Sequence, residues 1–303
     1  MTDPSSDQSA VFAAAFRVIA NAVPRAANEA PDLTAVGAAL ARARHRRDDS
    51  APLIFDDFLA PALCGPEIDA MIDAVIELLG ANSAFVVVRS RYCEDRVFAA
   101  RERGVRQYVI LGAGLDTFGY RYAGNLQGLS VFEVDQPSMQ TWKRQRVRDA
   151  GFPIPPELTY IPIDFETQSL DDVLIAGGVR KDQPTLFSWL AVTQYLTREA
   201  IESTLSTLAT WPTGSEVVLT YVLPVEQWGA DAPRLSALLS AANARGITWP
   251  SLLTPDEMAS LALACGFARV EHFGPDEMYV AYFRNRDDRL QPYNPERILT
   301  AIR

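Results

Sequence analysis

Gln107-Tyr-Val-Ile-Leu-Gly-Ala-Gly-Leu-Asp-Thr117 is the stretch that decides the fold of this 303-residue chain. Residues 108–111 form a short run of aromatic and aliphatic side chains, which predicts a strand covered on both faces. Gly112 and Gly114 follow at once, and a glycine lets the chain turn sharply and lets a ligand approach the backbone. A strand followed by such a turn is typical of the first unit of a doubly wound α/β fold.

A carboxylate follows the second predicted strand. Residues 130–134 are again mostly apolar and end at Asp135, about 20 residues after the glycine turn, the spacing of one βαβ unit. Leu115 and Asp116 follow the Gly-x-Gly, so the dinucleotide fingerprint lacks its third glycine. This pattern favours a single nucleoside as ligand, and plain turn geometry is the alternative explanation of the glycine pair.

The composition excludes several classes of protein. The 48% hydrophobic and 22% charged residues are typical of an ordinary globular protein. The net charge of −10 argues against nucleic-acid binding. No apolar run approaches the roughly 20 residues of a membrane span, and the first residues do not resemble a secretory signal. Cys64, Cys93 and Cys265 are far apart, and only His45 and His272 accompany them, so we expect no metal site and a cytoplasmic location.

The remainder of the chain alternates between strand and helix patterns. This alternation predicts a mostly parallel sheet with helices on both faces. The predicted strands lie near 108–112, 130–134, 158–163, 184–189 and 215–222, with helices between them at 137–149, 168–176 and 198–210. Residues 268–273 and 278–283 are predicted to be two further strands that pair antiparallel around a Gly274-Pro275 turn.

The first hundred residues carry helical patterns without strands. Helices are predicted at 11–22, 35–45, 54–60, 67–79 and 85–103, with a break at 48–52. The second helix runs into a basic cluster between Arg42 and Arg47. The simplest interpretation of this cluster is the solvated end of a helix. Arg44 is also a candidate for reaching a cofactor or substrate carboxylate.

Several runs together resemble the leucine carboxyl methyltransferase family of class I S-adenosylmethionine-dependent methyltransferases. The resemblance is strongest to a bacterial branch in which some members methylate carboxyl or hydroxyl groups of polyketide-type secondary metabolites. It extends from about residue 40 to residue 285 in the family's order. The matching runs are 53–60, Arg89-Ser-Arg-Tyr92, 104–117, Tyr120-Arg121, 132–137, Asp164-Phe165 and Tyr195-Leu196-Thr197.

The resemblance implies a Rossmann-like fold with a seven-stranded, mostly parallel sheet and a reversed last hairpin. Residues 1–104 would form a helical lid and residues 105–303 the cofactor-binding core, with a helical insertion at 223–265, all in one compact unit. The implied cofactor is S-adenosylmethionine, which leaves as S-adenosylhomocysteine, and no metal is implied.

The resemblance also implies particular contacts with this cofactor. Backbone at Gly112 would face it, Asp135 would accept from the ribose hydroxyls, and Asp164 would accept from the adenine amino group. An arginine before the first strand would pair with the methionine carboxylate. The full implied set is Arg89, Arg91, Gly112, Ala113, Gly114, Asp135, Gln136, Asp164, Phe165, Trp189 and Leu190, with Arg89 preferred to Arg91.

Structural roles remain open for several of these residues. Asp164 is alternatively the cap of the next helix, and the two arginines are alternatively solvated helix residues. Asp116 and Thr117 are expected to cap the helix after the glycine turn rather than to take part in catalysis. Arg121 is expected to be a structural ion-pair partner.

Two adjacent positions depart from the family pattern. After the fourth strand the family reads Glu-Gly-Val, whereas this chain has Leu190 in place of the glutamate and Ala191 in place of the glycine. In relatives that glutamate lies near the methionine end of the cofactor. Its absence raises the alternative of a cofactor-binding homologue with weak transfer activity.

The chemistry favours an acidic acceptor. A carboxylate is already ionised at neutral pH and needs no general base, whereas an alcohol or phenol ordinarily does. Neither histidine lies near a recognised motif, so we expect a small-molecule carboxylate or an acidic phenol or enol, with hydroxyl methylation as the alternative. Gln194, Tyr195 and Tyr221 are candidates for orienting the acceptor, with packing or capping as their structural alternatives. We expect a monomer or a homodimer.

Overall fold

A computed structural model describes residues 33–65, 82–126, 128–165, 167–244, 246–288 and 290–303. The helices predicted at 11–22 and 67–79 lie outside these residues. Seven strands form one sheet in the order β3-β2-β1-β4-β5-β7-β6. They are β1 (Gln107–Leu111), β2 (Ser130–Asp135), β3 (Leu158–Pro162), β4 (Thr185–Trp189), β5 (Glu216–Val222), β6 (Arg269–Phe273) and β7 (Glu296–Ile302).

The first five strands are parallel, and β7 runs antiparallel to both β5 and β6. Every residue of β1, β4 and β5 is buried, as the apolar runs predict for strands covered on both faces. The strand order reverses between β1 and β4, and the crevice at such a point is where α/β sheets bind ligands. The predicted mostly parallel sheet with a reversed last hairpin is therefore confirmed.

Helices cover the sheet and its carboxyl edge. The bounds are α1 (Leu33–Asp48), α2 (Ala60–Cys64), α3 (Asn82–Glu102), α4 (Phe118–Arg121), α5 (Pro137–Asp149), α6 (Leu170–Ala176), α7 (Arg198–Leu208), α8 (Ala232–Asn243), α9 (Pro255–Ala264) and α10 (Pro275–Met278). A small buried cluster of Val36, Leu40, Leu115, Met139 and their neighbours joins α1 to the glycine turn and to α5. None of the helices in the described ranges is long and apolar enough to span a membrane.

The strand predicted at 278–283 is wrong. Residues Tyr279–Phe283 form a π-helical turn after α10, and the antiparallel strand is β7, further along the chain. Pro275 occupies the start of α10, and the Glu277 carboxylate accepts a 2.9 Å hydrogen bond from the Gly274 N–H, which stabilises a helix start. These local signals outweigh the apolar character of the segment.

The helix predicted at 54–60 is wrong for most of its length, because α2 begins only at Ala60. Side chains take the backbone donors that a helix would use. The Asp57 carboxylate accepts from the N–H groups of Leu59 and Ala60 at 3.2 and 3.0 Å, and His45 Nε2 accepts from Ile54 N–H at 3.0 Å. The helices predicted at 35–45 and 85–103 are confirmed as α1 and α3.

Candidate functional site

The glycine turn at the end of β1 is closely packed by other parts of the chain. Gly112 and Gly114 have φ values of +68° and +47°. A Cβ on Gly112 would lie 2.6 Å from Val192 Cγ2, and a Cβ on Gly114 would lie 3.0 Å from Ala35 Cβ. Both glycines are therefore required by the fold itself, since α1 and the loop after β4 approach the backbone here. Ala113, between them, is buried.

Asp135, at the end of β2, is oriented by the glycine turn. Its Oδ2 accepts a 2.6 Å hydrogen bond from Gly114 N–H, and its Oδ1 accepts a 2.7 Å bond from Gln136 N–H. A carboxylate has about four acceptor sites, so further hydrogen bonds remain possible at this half-buried side chain. The arrangement suits recognition of a pair of hydroxyl groups, while the Gln136 side chain is exposed.

Asp164 and Phe165 follow β3 at the same edge of the sheet, and both are exposed. Asp164 Oδ2 accepts a 2.8 Å hydrogen bond from Thr167 Oγ1. The capping alternative for Asp164 is wrong, because the N-cap of α6 is Ser169, whose side chain accepts from Asp172 N–H. Phe165, with 45% of its surface exposed, is an aromatic side chain left at the strand end.

The two candidate arginines of α3 lie in different environments. Arg89 is only 8% exposed, and its Nη1 lies 3.5 Å from Glu296 Oε2 at the start of β7. Burial lowers the pKa of the Arg89 guanidinium, and the neighbouring Glu296 carboxylate opposes that shift. The Arg91 side chain is 46% exposed and pairs with Asp95 at 2.8 Å. The solvated alternative therefore holds for Arg91 and is wrong for Arg89.

The loop after β4 is held against β5. Trp189 is buried at the strand end, and Leu190 is half-buried. Ala191 has a φ of +58°, the only non-glycine residue with positive φ in the described ranges. Its N–H donates to Thr220 Oγ1 at 2.7 Å, which holds the strained turn. A glycine would adopt this conformation without the roughly 1–2 kcal/mol that a Cβ costs.

The three candidate acceptor-orienting residues do not all meet. Gln194 is buried, and Tyr195 is half-buried in the same short 3₁₀ turn, Thr193–Tyr195. Tyr221 is buried in β5, and its hydroxyl lies 3.4 Å from His272 Nδ1 on β6. Tyr221 therefore reaches toward β6 with its hydroxyl group.

Trp249, in the predicted insertion, reaches the same edge and was not anticipated from the sequence. Its ring packs edge-on against Tyr195 with centroids 6.4 Å apart. Its Nε1 is buried and has no hydrogen-bond partner among the described residues. The segment is anchored on both sides of the edge, because Ser251 Oγ donates to Leu196 O at 2.6 Å and Leu253 N–H donates to Val222 O at 2.9 Å.

A second unanticipated residue is Asp57, which is fully buried. It accepts hydrogen bonds of 2.8 Å from both Arg42 Nε and Thr117 Oγ1, and Arg121 Nε lies 3.8 Å away. Burial opposes its ionisation, yet Arg42 and Arg121 hold the pKa of the Asp57 carboxyl below its ordinary value. Arg42 also donates to Leu115 O at 2.6 Å, so α1 is bonded directly to the glycine turn.

These contacts settle three smaller expectations. Arg121 is a structural ion-pair partner, as predicted, since it also pairs with Glu94. Asp116 Oδ1 accepts from Phe118 N–H, at the start of α4, at 2.7 Å. Thr117 is the N-cap residue, but its hydroxyl binds Asp57, so the expected side-chain cap is wrong for Thr117. Arg44 lies 3.7 Å from both Asp48 and Asp49 in its own helix region, and Arg42 is the member of the basic run that reaches the glycine turn.

The described residues contain no group of three or more His, Cys, Asp or Glu side chains that could hold a metal ion. Cys64, Cys93 and Cys265 form no disulfide, and burial raises the pKa of the Cys64 and Cys93 thiols to about 12. Cys64 and Cys93 are therefore unreactive thiols.

Comparisons with known proteins show which sequences and structures this chain is similar to. A family model described as leucine carboxyl methyltransferase matches residues 35–209. YktD of Bacillus subtilis (strain 168), named as an S-adenosyl-L-methionine-dependent methyltransferase, is 33% identical over 299 residues, covering 89% of this chain and 97% of YktD. A protein of the same name from Mycolicibacterium gilvum (strain PYR-GCK) is 31% identical over 73% of this chain and 74% of its own length. A solved structure from Thermobifida fusca YX, described as a methyltransferase, shares the fold with a TM-score of 0.56 at 17% identity, covering 90% of this chain and 95% of that chain.

Proposed function

The chain belongs to the leucine carboxyl methyltransferase family and is an S-adenosylmethionine-dependent methyltransferase, and we propose that it methylates an oxygen of a small acidic metabolite. The observation that carries this proposal is the carboxyl edge of the sheet. There, the half-buried Asp135 carboxylate ends β2, the exposed Asp164 carboxylate follows β3, and the buried Arg89 guanidinium lies beside Glu296 at the start of β7. In this proposal Asp135 binds the ribose, Arg89 the amino acid and Asp164 the adenine part of the cofactor.

The residues present fit this cofactor chemically. Asp135 offers a carboxylate to the two ribose hydroxyls, and Asp164 offers a carboxylate to an exocyclic amine. Arg89 offers a planar guanidinium, the natural partner of a carboxylate in a partly dry site. Bound S-adenosylmethionine supplies an electrophilic methyl group on a sulfonium centre. The protein's task is to hold the acceptor oxygen close to that methyl group and to exclude water.

The acceptor is proposed to arrive already ionised, because both histidines are engaged elsewhere. His45 Nδ1 lies 2.6 Å from Asp49 Oδ2, and His45 Nε2 accepts from Ile54 N–H. His272 lies beside the Tyr221 hydroxyl on β6. Because both histidines already contact other groups of the chain, we propose a carboxylate or an acidic phenol or enol, which needs no general base, as the acceptor.

Trp249 supports an anionic acceptor. Its buried indole N–H lacks a partner in the described ranges, and a buried donor left without an acceptor costs about 1–3 kcal/mol. An acceptor carboxylate or phenolate lying beside Tyr195 would satisfy that donor. Side chains of the predicted insertion would then contribute to selecting the acceptor, which we propose to be polyketide-like.

A second candidate is a cofactor-binding homologue with weak transfer activity. It is favoured by Leu190 and Ala191, which replace the family's glutamate and glycine at the loop after β4. Under this alternative the chain binds S-adenosylmethionine and S-adenosylhomocysteine but gives little methylated product.

The test is methyl transfer from radiolabelled S-adenosylmethionine to a panel of aromatic acids, fatty acids, acidic phenols and neutral alcohols. We expect label in one or more acids or acidic phenols and none in the neutral alcohols. Labelling confined to the alcohols would contradict the acidic acceptor. Binding of S-adenosylhomocysteine without labelling of any compound would favour the second candidate.

A further inference from the structure

Arg89 and Glu296 form a buried pair of opposite charge beside the carboxyl edge of the sheet. Arg89 Nη1 lies 3.5 Å from Glu296 Oε2, and the two residues are only 8% and 5% exposed. Glu296 is the first residue of β7 and lies opposite Val222, the last residue of β5. Because β5 runs parallel to β4 and β1, this end of β5 belongs to the same edge as the glycine turn.

The Arg89 guanidinium also has charged or polar neighbours from the glycine turn side and from the loop after β4. Burial and Glu296 have the largest effects on the pKa of Arg89, and Arg42 and Tyr195 have smaller ones, so both groups lie within electrostatic range of the guanidinium. Arg42 bonds to Leu115 O in the turn, and Tyr195 follows β4. Arg89 therefore lies at the carboxyl edge of the sheet, where Glu296 pairs with the end of β5.

A buried ion pair is a weak contributor to stability, because desolvating two charges costs nearly as much as their attraction returns. A guanidinium and a carboxylate held side by side are, however, complementary to an amino acid zwitterion, whose carboxylate and ammonium groups are also adjacent. The loop after β4 offers no carboxylate to that ammonium, because Leu190 stands where relatives have a glutamate.

We propose that Glu296 binds the α-ammonium group of the cofactor's methionine moiety while Arg89 binds its α-carboxylate. This inference rests on the proposed function, since it assumes an S-adenosylmethionine site at this edge. Glu296 then provides, from β7, the negative charge that is missing at Leu190. The two side chains keep each other charged in the absence of ligand and exchange partners when the zwitterion enters.

The test compares two nucleosides by calorimetry. S-adenosylhomocysteine carries the zwitterion, whereas 5′-methylthioadenosine has the same nucleoside and thioether without it. Replacing Glu296→Gln is expected to weaken S-adenosylhomocysteine binding by about 10- to 100-fold, the effect of losing a hydrogen bond to a charged group. Binding of 5′-methylthioadenosine is expected to change less than about twofold. Glu271→Gln, a substitution on β6 at a partly exposed partner of Arg96, is the matched control and is expected to leave both affinities unchanged.

Each other outcome has a defined meaning. If Glu296→Gln weakens the binding of both nucleosides equally, Glu296 has only a structural role. If neither affinity changes, Glu296 is not part of the site. Either result overturns the proposal. If the wild-type chain binds neither nucleoside, the proposed function itself fails. If the glutamine variant does not fold, Glu296→Asp retains the charge on a shorter side chain and must still weaken S-adenosylhomocysteine selectively.

Discussion

The Asp135 carboxylate accepts a 2.6 Å hydrogen bond from the backbone N–H of Gly114. The acid that ends β2 is thereby fixed to the turn that ends β1, and neither element can move at the edge of the sheet without the other. Such a bond orients the carboxylate before any ligand arrives, which reduces the entropy that binding must overcome. The main role of the glycine turn is therefore to position Asp135. Because its glycines have no Cβ, α1 and the loop after β4 can also pack closely against it.

Gly112→Ala should destabilise the protein more than Gly124→Ala. Both glycines have positive φ, at +68° and +75°, so both substitutions carry the roughly 1–2 kcal/mol cost of the left-handed conformation. Only at Gly112 would the new Cβ meet a neighbour, 2.6 Å from Val192 Cγ2. Denaturant unfolding should show the larger loss at Gly112, and adding Val192→Ala should recover part of it. Equal losses for the two single variants would contradict the close packing of the turn.

Asp57→Ala should destabilise the fold by about 3–5 kcal/mol, because it leaves the buried Arg42 and Arg121 charges without their shared partner. The neighbouring Asp56→Ala is the control, since Asp56 is 55% exposed and pairs only with the exposed Arg46. Its effect should stay within about 0.5 kcal/mol. Similar unfolding midpoints for the two variants would show that the buried pair does not hold α1 onto the glycine turn.

The protein should lose stability as pH rises through the range in which Glu133 titrates. Burial raises the pKa of Glu133 from 4.5 to about 7, although Lys143 opposes the shift. Between these values the folded state holds a proton that the unfolded state has released, so the free energy of unfolding falls as pH rises. The slope is up to about 1.4 kcal/mol per pH unit.

The neutral double variant Glu133→Gln/Lys143→Met is the reference for this prediction. It replaces a fully buried ion pair, whose atoms lie 2.6 Å apart, and removes the titration. Urea unfolding of both proteins at pH values on either side of the window should show wild type losing stability relative to the variant as pH rises. Parallel pH profiles would contradict the raised pKa.

Trp249→Phe should raise the KM for an acidic acceptor by about 10-fold or more, because it removes the indole N–H that we propose to bind the acceptor anion. The aromatic contact with Tyr195 is retained in this variant, and the affinity for S-adenosylhomocysteine should not change. Trp142→Phe, on α5 beside Arg146, is the matched control. An unchanged KM in the Trp249 variant would remove the insertion from acceptor recognition.

The sequence predicts the elements whose signals are local. The apolar runs of β1, β4 and β5 are buried on both faces in the structure, and Asp135 places a carboxylate at the end of β2 as expected. Strand β7 was missed because its sequence begins Glu296-Arg-Ile, less apolar than the aromatic segment 278–283. Pairing with β5, more than 70 residues earlier, is what buries residues 296–302.

For the site residues, too, the sequence predicts only what local patterns determine. Asp56 and Asp57 are adjacent and chemically identical, yet the side chain of one is 55% exposed and that of the other is fully buried. Arg89 and Arg91 lie two residues apart on a helix, so they face opposite sides, and the pattern alone does not decide which side faces the sheet. Tertiary packing makes these distinctions, which no local spacing encodes.

The central claim is that a nucleoside is held across the carboxyl edge by Asp135. Calorimetric titration of S-adenosylhomocysteine into the wild-type chain and into Asp135→Asn tests it most directly, with Asp182→Asn, a substitution in an exposed pair with Arg180, as the control. We predict saturable binding to wild type and to the control, and a loss of about 10- to 100-fold in affinity for Asp135→Asn. Absence of binding to wild type, or equal affinity for Asp135→Asn, would contradict the account.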